Sequence, residues 1–313
     1  VRSVEVAGAG FLNFRLDEAW LGAQVGRMIE DERLLTPQIG AGVGLVIDYS
    51  SPNIAKRMHV GHMRSTLIGN ALDRLFRFVG YRVVADNHIG DWGTQFGKLI
   101  VGWRAWRDEA AFAADPIGEL QRIYQAFGPR AEADPSLEDA ARAETVKLQE
   151  GDPDNRALWQ AFVDVSLREF EEVYRRLGVS FDVILGESAY RERLAGLVEE
   201  LLARGIAVVS EGAVVVPFDA EEGKELANAP LLIRKRDGAS LYGTTDLATI
   251  EHRLSTWAPE VMVYVTDTRQ QLHFKQVFAA ARRIGWRADF RHVWFGMLRL
   301  ADGTVAATRA GGQ

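Results

Sequence analysis

The chain contains no cysteine, which excludes disulfides and any cysteine-ligated zinc or iron–sulfur site. A reducing compartment is compatible with that composition. No apolar run approaches the roughly 18 residues of a membrane-spanning helix. Residues 1–12 lack the charged start and long apolar core of a signal peptide, and a cytoplasmic location is expected. Positive charge is not in excess either: 37 Lys and Arg face 43 Asp and Glu, for a net charge of −6. That balance argues against a surface coated in basic residues for wrapping nucleic acid, although a local patch would suffice for phosphate contacts. Arg282, Arg283, Arg287 and Arg291 could form such a patch, or merely solvate a helix end. Internal repeats and low-complexity tracts are also missing. What remains is 313 residues, 47% hydrophobic and 26% charged, ordinary for a soluble globular chain larger than one typical domain.

Residues 45–50 read as a short buried strand that opens into a Ser-Pro-Asn loop. A helix is expected to start between His59 and Gly61, with Leu67, Ile68, Ala71, Leu72, Leu75, Phe76 and Val79 as its apolar stripe and Gly80 as its stop. Residues 82–86 give a second strand, completing a βαβ unit and implying a parallel sheet with a right-handed crossover. From 104 to 178 the spacing turns helical, most clearly along Trp159, Phe162, Val163, Leu167, Phe170, Val173, Tyr174 and Leu177, ending at Gly178. A further helix carries Leu194, Leu197, Val198, Leu201 and Leu202, and residues 206–216 read as a hairpin. The α/β rhythm returns with a strand at 261–266, a helix through Val277, Phe278, Ala281 and Ile284, a strand near 292–298 and a tight turn at Asp302-Gly303. The pattern predicts an α/β fold: a Rossmann-like parallel sheet split by a largely helical insertion.

The segment from Ser51 to His62 lies where ligands bind in open parallel sheets, beyond the carboxyl ends of the strands. It leads into a helix N-terminus, whose free N–H groups and dipole favour phosphate. His59 and His62 are three apart and share a face of the first turn. Gly61 between them lets a ring or phosphate approach the backbone, and Lys56 adds a cation in the same loop. Two hydrogen-bonding imidazoles and an ammonium suit a phosphoryl group whose charge grows during displacement. Taken bare, such a histidine pair could equally be a chance pair or a metal site. Asp48, inside an apolar strand, requires a partner for its carboxylate.

His59-Val60-Gly61-His62 resembles the HIGH signature (HxGH) of class I aminoacyl-tRNA synthetases and related nucleotidylyltransferases. The longer run from Asp48 to Gly97, with Ser-Pro-Asn-Ile-Ala-Lys and Asn-His-Ile-Gly-Asp-Trp-Gly-Thr-Gln-Phe-Gly, is similar to the arginyl-tRNA synthetase family. So, in family order, are Val146-Lys147-Leu148-Gln149, Gly186-Glu187-Ser188, Leu241 to Asp246, Asp267-Thr268-Arg269-Gln270 and Thr308 to Gly312. The resemblance implies adenylation of L-arginine by ATP, with Mg2+ accompanying the nucleotide and no zinc. Transfer to the 3′ end of tRNA(Arg), through the terminal 2′-hydroxyl, would follow. It implies arginine-binding roles for Asp48, Asn53, Tyr242, Asp246 and Gln270, with Tyr242 and Asp246 on the guanidinium and Asp48 and Asn53 at the α-amino end. Carboxylates read a guanidinium by paired, charge-assisted bonds that a lysine cannot reproduce. ATP would meet His59, Gly61, His62, Gln270, His273, Gly296 and Met297. Lys56 and Arg309 join the two histidines as catalytic residues. Without the resemblance, Asp246 reads as a helix cap, Tyr242 as a core aromatic and the Asp91-Trp92 pair as a structural turn.

Two departures stand out. Ala307 occupies the position where relatives carry the first lysine of the KMSKS-type loop, which removes a cation near the departing phosphates. Residues 1–20 resemble only the tail of an N-terminal tRNA-binding domain, and the helical anticodon-binding domain that the resemblance implies beyond Gln313 is expected to be absent. The expected organisation is a remnant and linker over 1–40 and a first catalytic half over 41–103. A connective insertion over 104–228 and a second half over 229–313 complete it. A monomer is expected, with no membrane association. Two other readings stay open: a different HxGH nucleotidylyltransferase, and a non-catalytic synthetase paralogue that binds arginine or tRNA.

Overall fold

The structure, a computed structural model, describes residues 1–236, 238–239 and 241–298. It opens with an antiparallel pair, β1 (Ser3–Ala7) and β2 (Phe11–Arg15), and a helix, α1 (Glu18–Glu30), that buries none of its residues. The main domain begins at β3 (Gly44–Asp48), whose five residues are all buried. It continues through α2 (Val60–Phe78) and β4 (Arg82–Asn87) as the expected parallel βαβ unit. Five helices follow: α3 (Gln95–Trp106), α4 (Glu109–Ala114), α5 (Pro116–Ala133), α6 (Ser136–Glu150) and α7 (Pro153–Leu177). The chain then runs through β5 (Val183–Ile184), a short 3-10 turn at Glu187–Tyr190 and α8 (Arg191–Ala203). Next come β6 (Val208–Ser210), β7 (Ala213–Val216), α9 (Lys224–Ala227) and β8 (Leu231–Arg234). It ends on α10 (Tyr242–Trp257), β9 (Val261–Asp267), α11 (Gln271–Ile284) and β10 (Asp289–Phe295).

The main sheet is parallel with strand order β10-β9-β3-β4-β5. The chain works outward from β3 to β5 on one side and from β9 to β10 on the other. The order therefore reverses between β3 and β9, and the crevice beyond their carboxyl ends is where such sheets bind ligands. Successive side chains alternate between faces. Val46, Met262 and Tyr264 join the core under α8, α10 and α11, while Leu45, Ile47, Val263 and Val265 join the core under α3, α5 and α7.

Several boundaries differ from the periodicity. The first strand stops at Asp48 rather than Ser50, because Ser50 and Ser51 take φ of 74° and 47°, which no strand continues. The last strand runs Asp289–Phe295, three residues ahead of 292–298, where its register with Val261–Asp267 fixes it. On α2 the apolar stripe is only partly covered: Leu67 and Leu75 are exposed, and the buried residues are Ser65, Thr66, Gly69 and Asp73. A Cβ at Gly69 would lie 2.2 Å from Tyr49 atoms, so the helix seats itself on small residues to come close to the chain leaving β3. Within the stretch 104–228 the chain returns once to the main sheet at β5, a strand too short to show alternation. The hairpin at 206–216 is present as β6 and β7 but gains a third strand, β8, from beyond residue 229. In the arginine cluster, Arg283 pairs with Asp219 and Glu222 and Arg291 with Asp289. The turn expected at Asp302-Gly303 lies outside the described residues.

Candidate active site at the strand-order reversal

The loop leaving β3 is pinned on every side. Ser50 donates its N–H to Ser65 Oγ at 3.0 Å, Ser65 donates its hydroxyl to the Val265 carbonyl at 2.5 Å, and Thr66 Oγ1 donates to Ser50 Oγ at 2.8 Å. These bonds join β3, α2 and β9 at the reversal point. Farther along, Ala55 takes a φ of 61° and donates its N–H to Ser166 Oγ on α7. Asn53 forms an isolated parallel bridge with Gly90, where an added Cβ would meet its Oδ1 at 2.2 Å.

His59 caps α2. Its Nδ1 accepts the Gly61 N–H at 3.0 Å, and His62 Nδ1 accepts the His59 N–H at 3.2 Å. The ring centroids are 4.1 Å apart. A neutral imidazole that accepts at Nδ1 carries its proton on Nε2, so each ring keeps one N–H donor. Burial lowers the pKa of His59, and burial aided by the nearby His59 and Lys56 takes His62 down to about 4. Both rings are therefore neutral donors at pH 7, set at a helix N-terminus whose dipole attracts anions. The Lys56 ammonium stands over the Tyr124 ring, 4.4 Å from its centroid.

The acidic side of the crevice is organised by α10. Tyr242, Asp246, Thr249 and Arg253 follow one another at helical spacing and form a polar stripe. Asp246 meets His273 Nε2 at 2.5 Å, and although burial lowers the imidazole pKa, the carboxylate outweighs it and the net shift is upward. Arg253 is fully buried and bonds Asp48 at 2.6 Å and Asp86 at 2.8 Å, register partners near the carboxyl ends of the paired strands β3 and β4. Burial raises the Asp86 pKa against the pull of Arg253. Asp48 thus has the partner its position demands, supplied from within the chain, and it also accepts from Ser51 Oγ at 2.9 Å. Glu187 forms no ion pair among the described residues. Burial, then the neighbouring Asp246 and Asp91, push its pKa up to about 8. Beside it opens a cavity of about 560 Å³, also walled by Tyr242, Trp92, Gln95, Arg156 and Arg191.

Asp91 is a structural clasp. Its carboxylate accepts from the Ser188 N–H at 2.8 Å and hydroxyl at 2.6 Å, and it packs on Gly186, fixing the turn that presents Glu187. Gln270 stands exposed at the start of α11, three residues before His273. Gly296 and Met297 follow β10, and the Gly296 carbonyl accepts from Arg64 of α2. Arg309 and Ala307 lie outside the described residues. Glu187, Asp86 and Arg253 were missed as site residues in the sequence. Glu187 sat inside a matched motif with no role attached, and Arg253 was legible only as the last member of the stripe begun by Tyr242 and Asp246.

Among the described residues no helix is long and apolar enough to cross a membrane, and no cluster of three or more His, Asp or Glu is arranged to hold a metal. Residues 24–313 match the family described as tRNA synthetases class I (R), catalytic domain. The arginine–tRNA ligase of Fusobacterium nucleatum is 47% identical over 311 residues, 99% of this chain and 53% of that protein. The one from Pseudomonas aeruginosa is 42% identical over 315 residues, again 99% and 53%. The chain therefore spans about half the length of these curated relatives. Among solved structures, the arginyl-tRNA synthetase of Plasmodium falciparum superposes with a TM-score of 0.73 at 27% identity, over 95% of this chain and 52% of that one. The Thermus thermophilus enzyme shares the fold at a TM-score of 0.72 and 20% identity, over 97% and 56%. A sheet that reverses at β3, a capped histidine pair at the reversal and these likenesses agree, and the chain belongs to the class I tRNA synthetase (R) catalytic-domain family.

Proposed function

We propose that the protein carrying this chain is an arginine–tRNA ligase, activating L-arginine with ATP and passing it to tRNA(Arg). Two observations support the reading: a neutral histidine couple caps the N-terminus of α2, and the buried Glu187 lies within electrostatic reach of Asp246. ATP lies across the start of α2, its phosphates toward the Nε2–H groups of His59 and His62 and toward Lys56. Gln270, His273, Gly296 and Met297 serve its ribose and base from the other half of the sheet. Arginine lies beside it, the guanidinium toward Asp246, Glu187 and Tyr242 and the α-amino end toward Asn53 and the Asp48 end of β3. Because Arg253 already occupies Asp48, that carboxylate acts mainly by holding the crevice wall.

An arginine carboxylate oxygen attacks the α-phosphorus in line, the bond to pyrophosphate breaks, and arginyl-adenylate forms. The terminal ribose hydroxyl of tRNA then takes the arginyl group and AMP leaves. No covalent enzyme intermediate is required. The protein contributes chiefly position and fixed donors aimed at growing phosphate charge. Magnesium arrives on the nucleotide as part of the substrate. Arg309 is proposed to add a cation where Ala307 supplies none.

Arginine-dependent exchange of labelled pyrophosphate into ATP by the full-length protein, with and without tRNA, tests the reading. Exchange that needs arginine is the expected result. Exchange with another acid would point to a different nucleotidylyltransferase, and arginine or tRNA binding without exchange to a non-catalytic paralogue.

A further inference from the structure

Lys56, beside the crevice, has an aromatic face rather than a carboxylate as its neighbour. Its Nζ lies 4.4 Å from the centroid of Tyr124, and no carboxylate among the described residues forms an ion pair with it. Tyr124 belongs to α5, a helix of the connective insertion rather than of the nucleotide-facing sheet. The same helix grips the adjoining residue twice. Asp115, its N-cap, pairs with the Arg57 guanidinium, and Gln121 Oε1 accepts the Arg57 N–H at 3.1 Å. Gln121 and Tyr124 are three apart and share one helix face. The loop that ends in the His59 cap is therefore clasped from outside the sheet by one face of α5.

A lysine on a four-carbon stem loses much rotamer freedom when a phosphate captures it. A carboxylate partner would localise it but would also neutralise it and compete with the phosphate. An aromatic face localises the ammonium while leaving its charge and its outward N–H groups available. We propose that Tyr124 is a positioning residue for nucleotide binding: its ring holds the Lys56 ammonium in place, uncommitted, until a triphosphate meets it. This rests on reading the start of α2 as the ATP site. Tyr124 also lies within electrostatic reach of Tyr242.

The test uses the full-length protein and two readouts, the ATP dissociation constant by calorimetry and the ATP KM in arginine-dependent pyrophosphate exchange. Losing one partly screened cation–π contact predicts that Tyr124→Leu weakens ATP in both by about fivefold. The KM for arginine stays unchanged. Tyr124→Phe, which keeps the π face, stays within about twofold of wild type. In a Lys56→Met background, adding Tyr124→Leu brings no further loss. The proposal is overturned if that second substitution costs as much without the lysine, if Tyr124→Phe is as impaired as Tyr124→Leu, or if ATP binding is unmoved. Wild-type protein that binds no ATP would overturn the site assignment as well. ATP binding that is normal in wild type and unaffected by Tyr124→Leu would overturn this inference alone.

Discussion

His62 shows how a single side chain acquires a chemical role from its backbone partners. Its Nδ1 is spent on the His59 N–H, so Nε2 must carry the proton, and burial keeps the ring neutral down to a pKa of about 4. A donor of that kind matters most when charge builds on phosphate. His62→Ala is expected to slow arginyl-adenylate formation by about 10²-fold, the usual cost of losing one fixed donor to developing charge. Arginine affinity, read by calorimetry, changes little; equal loss in both would assign the ring to ground-state binding instead. Glu187 behaves oppositely. With a pKa pushed up to about 8 it is mostly protonated at neutral pH, and it must release that proton to pair with a guanidinium. Arginine binding should therefore weaken by up to about tenfold for each pH unit below 8 and release a proton as it occurs. In Glu187→Gln the profile should be flat over the same range; a slope that survives would place the titrating group elsewhere. Asp246 was singled out through the family resemblance alone, whereas the histidine pair and Lys56 were legible as chemistry because they stand close in sequence. Glu187 was not, since only the fold brings burial, Asp91 and Asp246 around it.

Among the elements, α10 has the widest reach. Its N-terminal part supplies Tyr242 and Asp246 to the crevice, while Arg253 near its end ties it to Asp48, the last residue of β3, and Asp86, the penultimate residue of β4. Those ion pairs span 205 and 167 residues of sequence, which is why no local pattern announces them. Strands β3, β4 and β9 and helices α7 and α8 were readable from periodicity alone, β5 was not, and Gly178 and Gly205 take the positive φ that ends or follows these helices. The seat of α2 was not readable. A hydrophobic stripe predicts which face turns inward only where side chains fill the gap, and here Gly69 against Tyr49 removes the gap. Removing Arg253 should be severe, because two buried carboxylates lose their cation. Arg253→Leu is expected to lower stability by about 3–5 kcal/mol in denaturant unfolding. Adding Asp86→Asn should recover part of that loss, and no recovery would mean that packing rather than charge sets the penalty.

At the scale of the whole molecule, the crevice is assembled from segments that the sequence keeps far apart. β3 with its histidine cap comes from the first half, Glu187 from the turn after β5, and α10 and the loop after β10 from the second half. The order reversal between β3 and β9 forces these pieces to converge at one end of the sheet, so the site follows from topology once the strands are placed. That convergence underlies the proposed function. It is tested most directly by a crystal structure of the full-length protein with L-arginine and a non-hydrolysable ATP analogue. Phosphate oxygens are expected within hydrogen-bond distance of Nε2 of His59 and His62, with the guanidinium between Glu187 and Asp246. A nucleotide bound away from the start of α2, or an arginine side chain that meets neither acid, would contradict it.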